Sequence, residues 1–83
     1  MPKLKIFSTS WCAYCRAEMR FLDEHNIPYE HVDVEADPKE AAEMFSLSHQ
    51  MGVPVTLLTR DDNTKVVKVG YDQDWLESEL QLV

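Results

Sequence analysis

The sequence predicts an α/β protein with a four-stranded mixed sheet and helices on both faces, in the order β-α-β-α-β-β-α. Three observations predict it. Short apolar runs of strand length occur at residues 3–8, 29–34, 55–59 and 65–69. Segments with apolar residues at helical spacing follow the first, second and fourth of these runs. The third and fourth runs are joined only by Asp61-Asp62-Asn63, a turn-forming segment, which makes them an antiparallel hairpin.

Each element has its own signal. Lys3 to Ser8 is a strand carried by Leu4, Ile6 and Phe7. A helix is expected to start at or just after Cys12 and to run to about Glu24 or His25. There Cys15, Met19 and Leu22 fall at i, i+4 and i+7 and form one buried stripe. Asn26 suits the left-handed conformation that ends a helix, and Pro28 blocks continuation. Tyr29 to Val34 is the second strand, with Val32 and Val34 alternating with His31 and Asp33. Asp37-Pro38-Lys39-Glu40 opens the second helix: Asp37 caps, Pro38 suits the first turn and Glu40 can reach back. That helix carries Ala41, Met44, Phe45 and Ser48 and gives way near Met51-Gly52; Met44 and Phe45 read as core. Val55 to Thr59 is mostly apolar, as a central strand is. Lys65 to Val69 carries Lys65 and Lys68, which suit an edge. Asp72 can cap a last helix holding Trp75, Leu76 and Leu80. The first βαβ unit should cross over right-handed and leave its strands parallel.

The chain has 83 residues, read as one domain over 1–83. An apolar share of 45% is ordinary for a globular protein. With 15 acidic against 8 basic side chains, the formal charge is −7. Such a surface repels nucleic-acid phosphates and anionic membranes, which argues against both as partners. The first apolar run is too short for a signal-peptide core, and no apolar stretch approaches the roughly 20 residues of a membrane span. A reducing cytoplasm is therefore the expected compartment. There a lone cysteine pair is catalytic or metal-binding rather than a staple.

The two cysteines, Cys12 and Cys15, stand three positions apart just after a strand. Zinc would need two more ligands, and His25, His31 and His49 are spread over three elements without paired spacing. Covalent haem attachment wants His after the second Cys, where this chain has Arg16. A structural disulfide across so short a loop would remove little chain entropy. A redox dithiol suits the local physics. Cys12 sits where the first turn of a helix presents unpaired N–H groups and partial positive charge, so its thiolate is expected to be stabilised. Arg16 adds a cation one turn on. Cys15, one turn deeper on the same side, lies within bonding reach. Cys12 should attack a disulfide and Cys15 should resolve the mixed disulfide.

With that chemistry, W-C-A-Y-C resembles the active-site motif of the glutaredoxins and related small redoxins of the thioredoxin fold. Gly52-Val53-Pro54-Val55 resembles the family's T-V-P segment, and Gly70-Tyr71-Asp72 resembles the tail of its G-G-x-D segment. The resemblance spans nearly the whole chain. It implies a thioredoxin-like fold, a cis bond before Pro54, and a thiol-binding groove made by Tyr14, Val53, Pro54, Gly70, Tyr71 and Asp72. In that groove Asp72 would take the amino group of glutathione. Trp11 is expected to be partly buried without direct chemistry.

The family's pattern is not fully kept. Ala13 stands where Pro or Gly is usual, Gly52 where a Thr hydroxyl would lie, and Val69 where the first Gly of the pair would be. These weaken the expectation of glutathione. Gly70-Tyr71 with Asp74 also resembles the NrdH-type redoxins that serve ribonucleotide reductase and draw electrons from thioredoxin reductase. T-S-W-C-x-Y-C resembles the mycothiol-dependent members. The expected activity is thus a monomeric thiol–disulfide oxidoreductase acting on disulfide-containing proteins. It would bind no resident cofactor and use glutathione, another small thiol or a thioredoxin-reductase-like flavoprotein as reductant. An iron–sulfur carrier using Cys12 is a further alternative.

Overall fold

The computed structural model describes residues 1–82. Its elements are β1 (Lys3–Ser8), α1 (Ala13–Glu24), β2 (Glu30–Asp33), α2 (Pro38–Ser48), β3 (Val55–Thr59), β4 (Lys65–Val69) and α3 (Gln73–Leu80). One sheet holds all four strands in the order β2-β1-β3-β4. β1 runs parallel to β2, while β3 runs antiparallel to both β1 and β4. This is the expected mixed sheet, with β3 inside and the lysine-bearing β4 at an edge. Among the described residues no helix is long and apolar enough to cross a membrane.

Period-two alternation divides the inner strands between two cores. Leu4 and Ile6 of β1 and Leu58 of β3 pack with Phe21 and Leu22 of α1, Ile27, and Leu76 and Leu80 of α3. Phe7 and Val55 point the other way, onto Met44 of α2. Helices therefore cover both faces, and inner strands buried on both sides need the continuous apolar runs that the sequence shows.

Several local expectations shift. Residues of β2 span only Glu30–Asp33, although Val34 N still donates to Ser8 O at 3.0 Å. Asp37 caps α2 by accepting from Lys39 N at 3.0 Å. Glu40 does not reach back. It pairs with Lys5 Nζ at 2.9 Å, because that ammonium is already held at the sheet by Glu43 at 2.6 Å. The left-handed residue that ends α2 is His49, with φ 59, so the helix stops before Met51-Gly52. Phe45 is not core: Met44 is fully buried while Phe45 is 51% exposed, one position round the helix. Asn26 does take positive φ, as its place at the end of α1 suggested.

Candidate active site

The segment from Thr9 to Cys12 carries the chain from β1 into α1. Cys12 is the N-cap of that helix, with extended backbone angles of φ −85 and ψ 114. Its Sγ accepts a hydrogen bond from Cys15 N at 3.1 Å. A sulfur thus occupies the place that a Ser or Asp oxygen usually takes at a helix start. A negative charge on it would have an amide donor in place and would lie at the positive end of the helix.

Both thiols are free. Cys12 is 6% exposed and Cys15 is 0% exposed, so only Cys12 offers an edge to a partner. The contrast is narrower than expected, because the loop before β3 lies against Cys12: its Sγ–H donates to Val53 O at 3.8 Å. Burial pushes the Cys15 thiol up to about 12, and its hydrogen bond to Cys12 adds to the rise, while the Thr9 backbone acts the other way. In the dithiol form Cys15 therefore holds its proton at neutral pH.

The peptide bond between Val53 and Pro54 is cis. Gln50 ties this loop down: its Oε1 accepts from Gly52 N, and its Nε2 donates to Gly52 O at 3.1 Å. Gly70 N donates to Pro54 O at 2.8 Å. Gly70 has φ +86, a left-handed conformation that suits glycine, and it redirects the chain from β4 toward α3. The structure thus brings Cys12, Cys15, Val53 and Pro54 together and fastens Gly70 to them through the Pro54 carbonyl.

The remaining expected groove residues are engaged differently. Tyr14 stands outward on the first turn, exposed. Tyr71 is half-buried and packs its ring 6.4 Å from that of Phe21. Asp72 caps α3, accepting from Trp75 N at 3.0 Å, and its other oxygen pairs with Lys68 Nζ at 3.2 Å. The Trp75 amide and Lys68 hold its carboxyl below the usual range. Trp11 departs from expectation: it is 65% exposed, its indole held outside by donating to Glu35 Oε1 at 2.9 Å. The Arg16 guanidinium turns back to the Ser10 carbonyl at 3.3 Å.

Sequence reasoning missed Glu18. It is 1% exposed, on the same buried side of α1 as Cys15. Thr56 Oγ1 donates to its Oε2, while its Oε1 is enclosed without a hydrogen-bond partner. Burial pushes this carboxyl up to about 7, with the Thr56 hydroxyl working in the opposite sense. The signal was available: Glu18 lies at i+3 from Cys15 and i−4 from Leu22, inside the expected stripe. The three histidines serve elsewhere: His25 bonds Phe21 O, His31 bonds Ser8 Oγ, and His49 ends α2. Among the described residues no three His, Cys, Asp or Glu side chains gather as a metal-binding group.

The profile of the family Glutaredoxin matches residues 4–60. The chain is 46% identical over 52 residues to an uncharacterised glutaredoxin-like 8.6 kDa protein of the rubredoxin operon of Clostridium pasteurianum, covering 63% of this chain and 69% of that one. It is 37% identical over 71 residues to the SPbeta prophage-derived thioredoxin-like protein YosR of Bacillus subtilis, covering 84% of each. The fold is also that of the glutaredoxin-like NrdH-redoxin of Escherichia coli, with a TM-score of 0.73 at 21% identity over 92% of each chain. A dithiol at a helix start, a cis-proline loop against it and a matching profile over most of the sheet lead to one assignment: the chain belongs to the glutaredoxin family.

Proposed function

We propose that the protein is a glutaredoxin-like thiol–disulfide oxidoreductase that reduces protein disulfides or glutathione mixed disulfides through Cys12 and Cys15. The observation that carries the reading is the setting of Cys12 Sγ, between the Cys15 amide at 3.1 Å and the Val53 carbonyl at 3.8 Å. The amide favours charge on the sulfur, and the Val53 backbone is placed to meet the main chain around a substrate cysteine. Cys12 thiolate attacks one sulfur of the substrate disulfide, and the other sulfur leaves as a thiolate. Cys15 then attacks Cys12 Sγ, closes the internal disulfide and releases the second thiol. A small thiol can take the place of Cys15 in that step when the substrate is a glutathione mixed disulfide. An external reductant reopens the Cys12–Cys15 bond. A net charge of −7 suits a monomer that stays dissolved, and a lone exchange-active cysteine pair suits a reducing compartment.

A second reading has its own support: a dithiol donor recycled by a thioredoxin-reductase-like flavoprotein, with ribonucleotide reductase as acceptor. Lys68 holds the carboxylate of Asp72 that would otherwise meet a glutathione amino group. Gly52 and Val69 supply neither the hydroxyl nor the small residue that the glutathione groove uses. The solved NrdH-redoxin is described as having a thioredoxin-like activity profile on a glutaredoxin-like protein. Glutathione with its reductase, or a thioredoxin-reductase-type flavoprotein, supplied as sole electron source separates the two. The first reading expects turnover with glutathione and a Cys15→Ser variant that keeps much of its activity on a glutathione mixed disulfide. Turnover with the flavoprotein alone, together with loss of activity in Cys15→Ser, favours the second. Turnover with neither source overturns both.

A further inference from the structure

We propose that Glu18 is the proton acceptor for Cys15 when Cys15 resolves the mixed disulfide, a role that rests on the oxidoreductase reading above. Three features of the site point there. Cys15 and Glu18 are fully buried and three residues apart on α1, so their side chains share one face of the helix. Glu18 is anchored by one oxygen only, through Thr56 of β3, the second residue after Pro54. Its other oxygen is enclosed and unpartnered, which leaves it free to receive a proton.

Nothing structural calls for a carboxyl in this place. The ion pairs among the described residues do not include Glu18. A buried carboxylate without a cation is costly, and a neutral side chain of the same length would serve packing better. A group that costs stability and lies one helical turn from a cysteine of the dithiol, on the same buried face, is a candidate for chemistry. The groups around it are Cys15 of α1, next to Cys12, the neutral Thr56 of β3, and Tyr71 before α3, which also feels Glu77 and Glu24. Burial pushes up the thiol of Cys15 and the phenol of Tyr71, and the charge of Glu18 adds to both. Both protonation states of the carboxyl are accessible near neutrality, since burial brings it to about 7.

The step balances. Before it, Cys12 carries the substrate sulfur, Cys15 is a thiol and Glu18 is a carboxylate. Cys15 Sγ gives its proton to Glu18 as its electron pair attacks Cys12 Sγ. The bond between Cys12 and the substrate sulfur breaks, and that sulfur leaves as a thiolate. The products are the Cys12–Cys15 disulfide, a substrate thiolate and a neutral Glu18 acid. Transfer to Glu18 avoids two negative charges in one dry space, which is what a Cys15 thiolate beside a Glu18 carboxylate would create. In the mixed disulfide the Cys12 thiol no longer bonds Cys15, so one cause of that thiol's resistance to ionisation is removed.

Stopped-flow reaction with dithiobis(nitrobenzoate) tests this, because each released nitrobenzoate thiolate is coloured. The first phase reports capture of the reagent by Cys12, and the second reports attack by Cys15. In the unsubstituted protein the second phase is expected to accelerate as pH rises through about 7, where Glu18 becomes a base. Glu18→Gln should slow that phase by roughly a hundred-fold or more, abolish its inflection and leave the first phase intact. Thr56→Val keeps the carboxyl but removes a donor that stabilises its charge, so the inflection should move to higher pH. That variant decides the matter if Glu18→Gln does not fold. A second phase unchanged in rate and pH profile in either folded variant overturns the role of Glu18 alone. Absence of a first phase in the unsubstituted protein overturns the oxidoreductase reading and this one with it.

Discussion

The two faces of the sheet are built on different principles. Against α2 the core is hydrocarbon and thioether: Phe7, Val55 and Met44, with Val32, Leu47 and Val67 around them. Against α1 and α3 the core is equally apolar at one end, around Leu4, Leu22 and Leu58. At the end nearest the dithiol it becomes polar, with Ser8, Thr9, Glu18 and Thr56 all buried. Polar groups without full hydrogen bonding are costly in such a place, and two of them, Thr9 Oγ1 and Glu18 Oε1, have no hydrogen-bond partner. One face therefore maximises stability, and one corner of the other gives some of it up where the sulfurs react.

Substitutions on the two faces should separate these effects. The largest expected change is Cys12→Ser, which should reduce disulfide reduction to background in a turnover assay while leaving the thermal midpoint close to that of the parent. Met44→Ala should do the reverse. It removes a fully buried side chain from the apolar face, and truncations of this kind cost about 2–5 kcal/mol in denaturant unfolding. Turnover per folded molecule should be retained.

Glu18→Gln should stabilise the protein by an amount that grows as pH rises from about 4.5 to about 7 and is full above that window. Burial moves the carboxyl from its ordinary 4.5 to about 7 in the folded state. The folded protein thus binds a proton more readily than the unfolded chain between those values, so stability falls as pH rises from the lower to the higher. Above that window the ionised carboxyl costs on the order of 3 kcal/mol, which the neutral amide recovers. Denaturant unfolding of parent and variant should therefore converge below pH 4.5, diverge through the window and keep a constant gap above about 7. Parallel curves at all pH values would show that the carboxyl is not held in a dry site.

Alkylation should report the difference between the sulfurs. Iodoacetamide at neutral pH is expected to modify Cys12 and spare Cys15, whose thiol is covered and pushed up to about 12. Peptide mapping by mass spectrometry distinguishes the two. The smallest effect concerns the groove: Lys68→Ala frees the Asp72 carboxylate, and KM for a glutathione mixed disulfide should fall about two- to three-fold if that carboxylate meets the ligand, since exposed ion pairs are weak.

Most of the fold was legible in the sequence because the signals were periodic and agreed with one another. The βαβ order, the edge lysines and the caps at Asp37 and Asp72 follow from local chemistry, while the cis-proline loop was implied by the family resemblance. Side-chain exposure was less legible. Phe45 and Trp11 are large and apolar, yet Phe45 falls one position off the buried line of α2, and Trp11 is drawn outward by Glu35, a partner remote in sequence. Glu18 was the converse case. Charged side chains are so seldom buried without a cation that its position within the helical stripe carried less weight than its charge. Such a residue, out of keeping with the hydrophobic pattern inside a clear stripe and one turn from a cysteine, is visible in the sequence only when charge is set aside and position is followed.

One peptide unit at the start of α1 has a double duty. The N–H that faces the Cys12 sulfur belongs to Cys15, the residue whose own sulfur would strike it in the proposed mechanism. An extra residue between the cysteines would turn the second sulfur by about 100° around the helix axis, while the backbone N–H three residues after Cys12 would still face its sulfur. The two-residue spacer thus sets the reach of the second sulfur, whereas the backbone itself supplies the amide that meets the first.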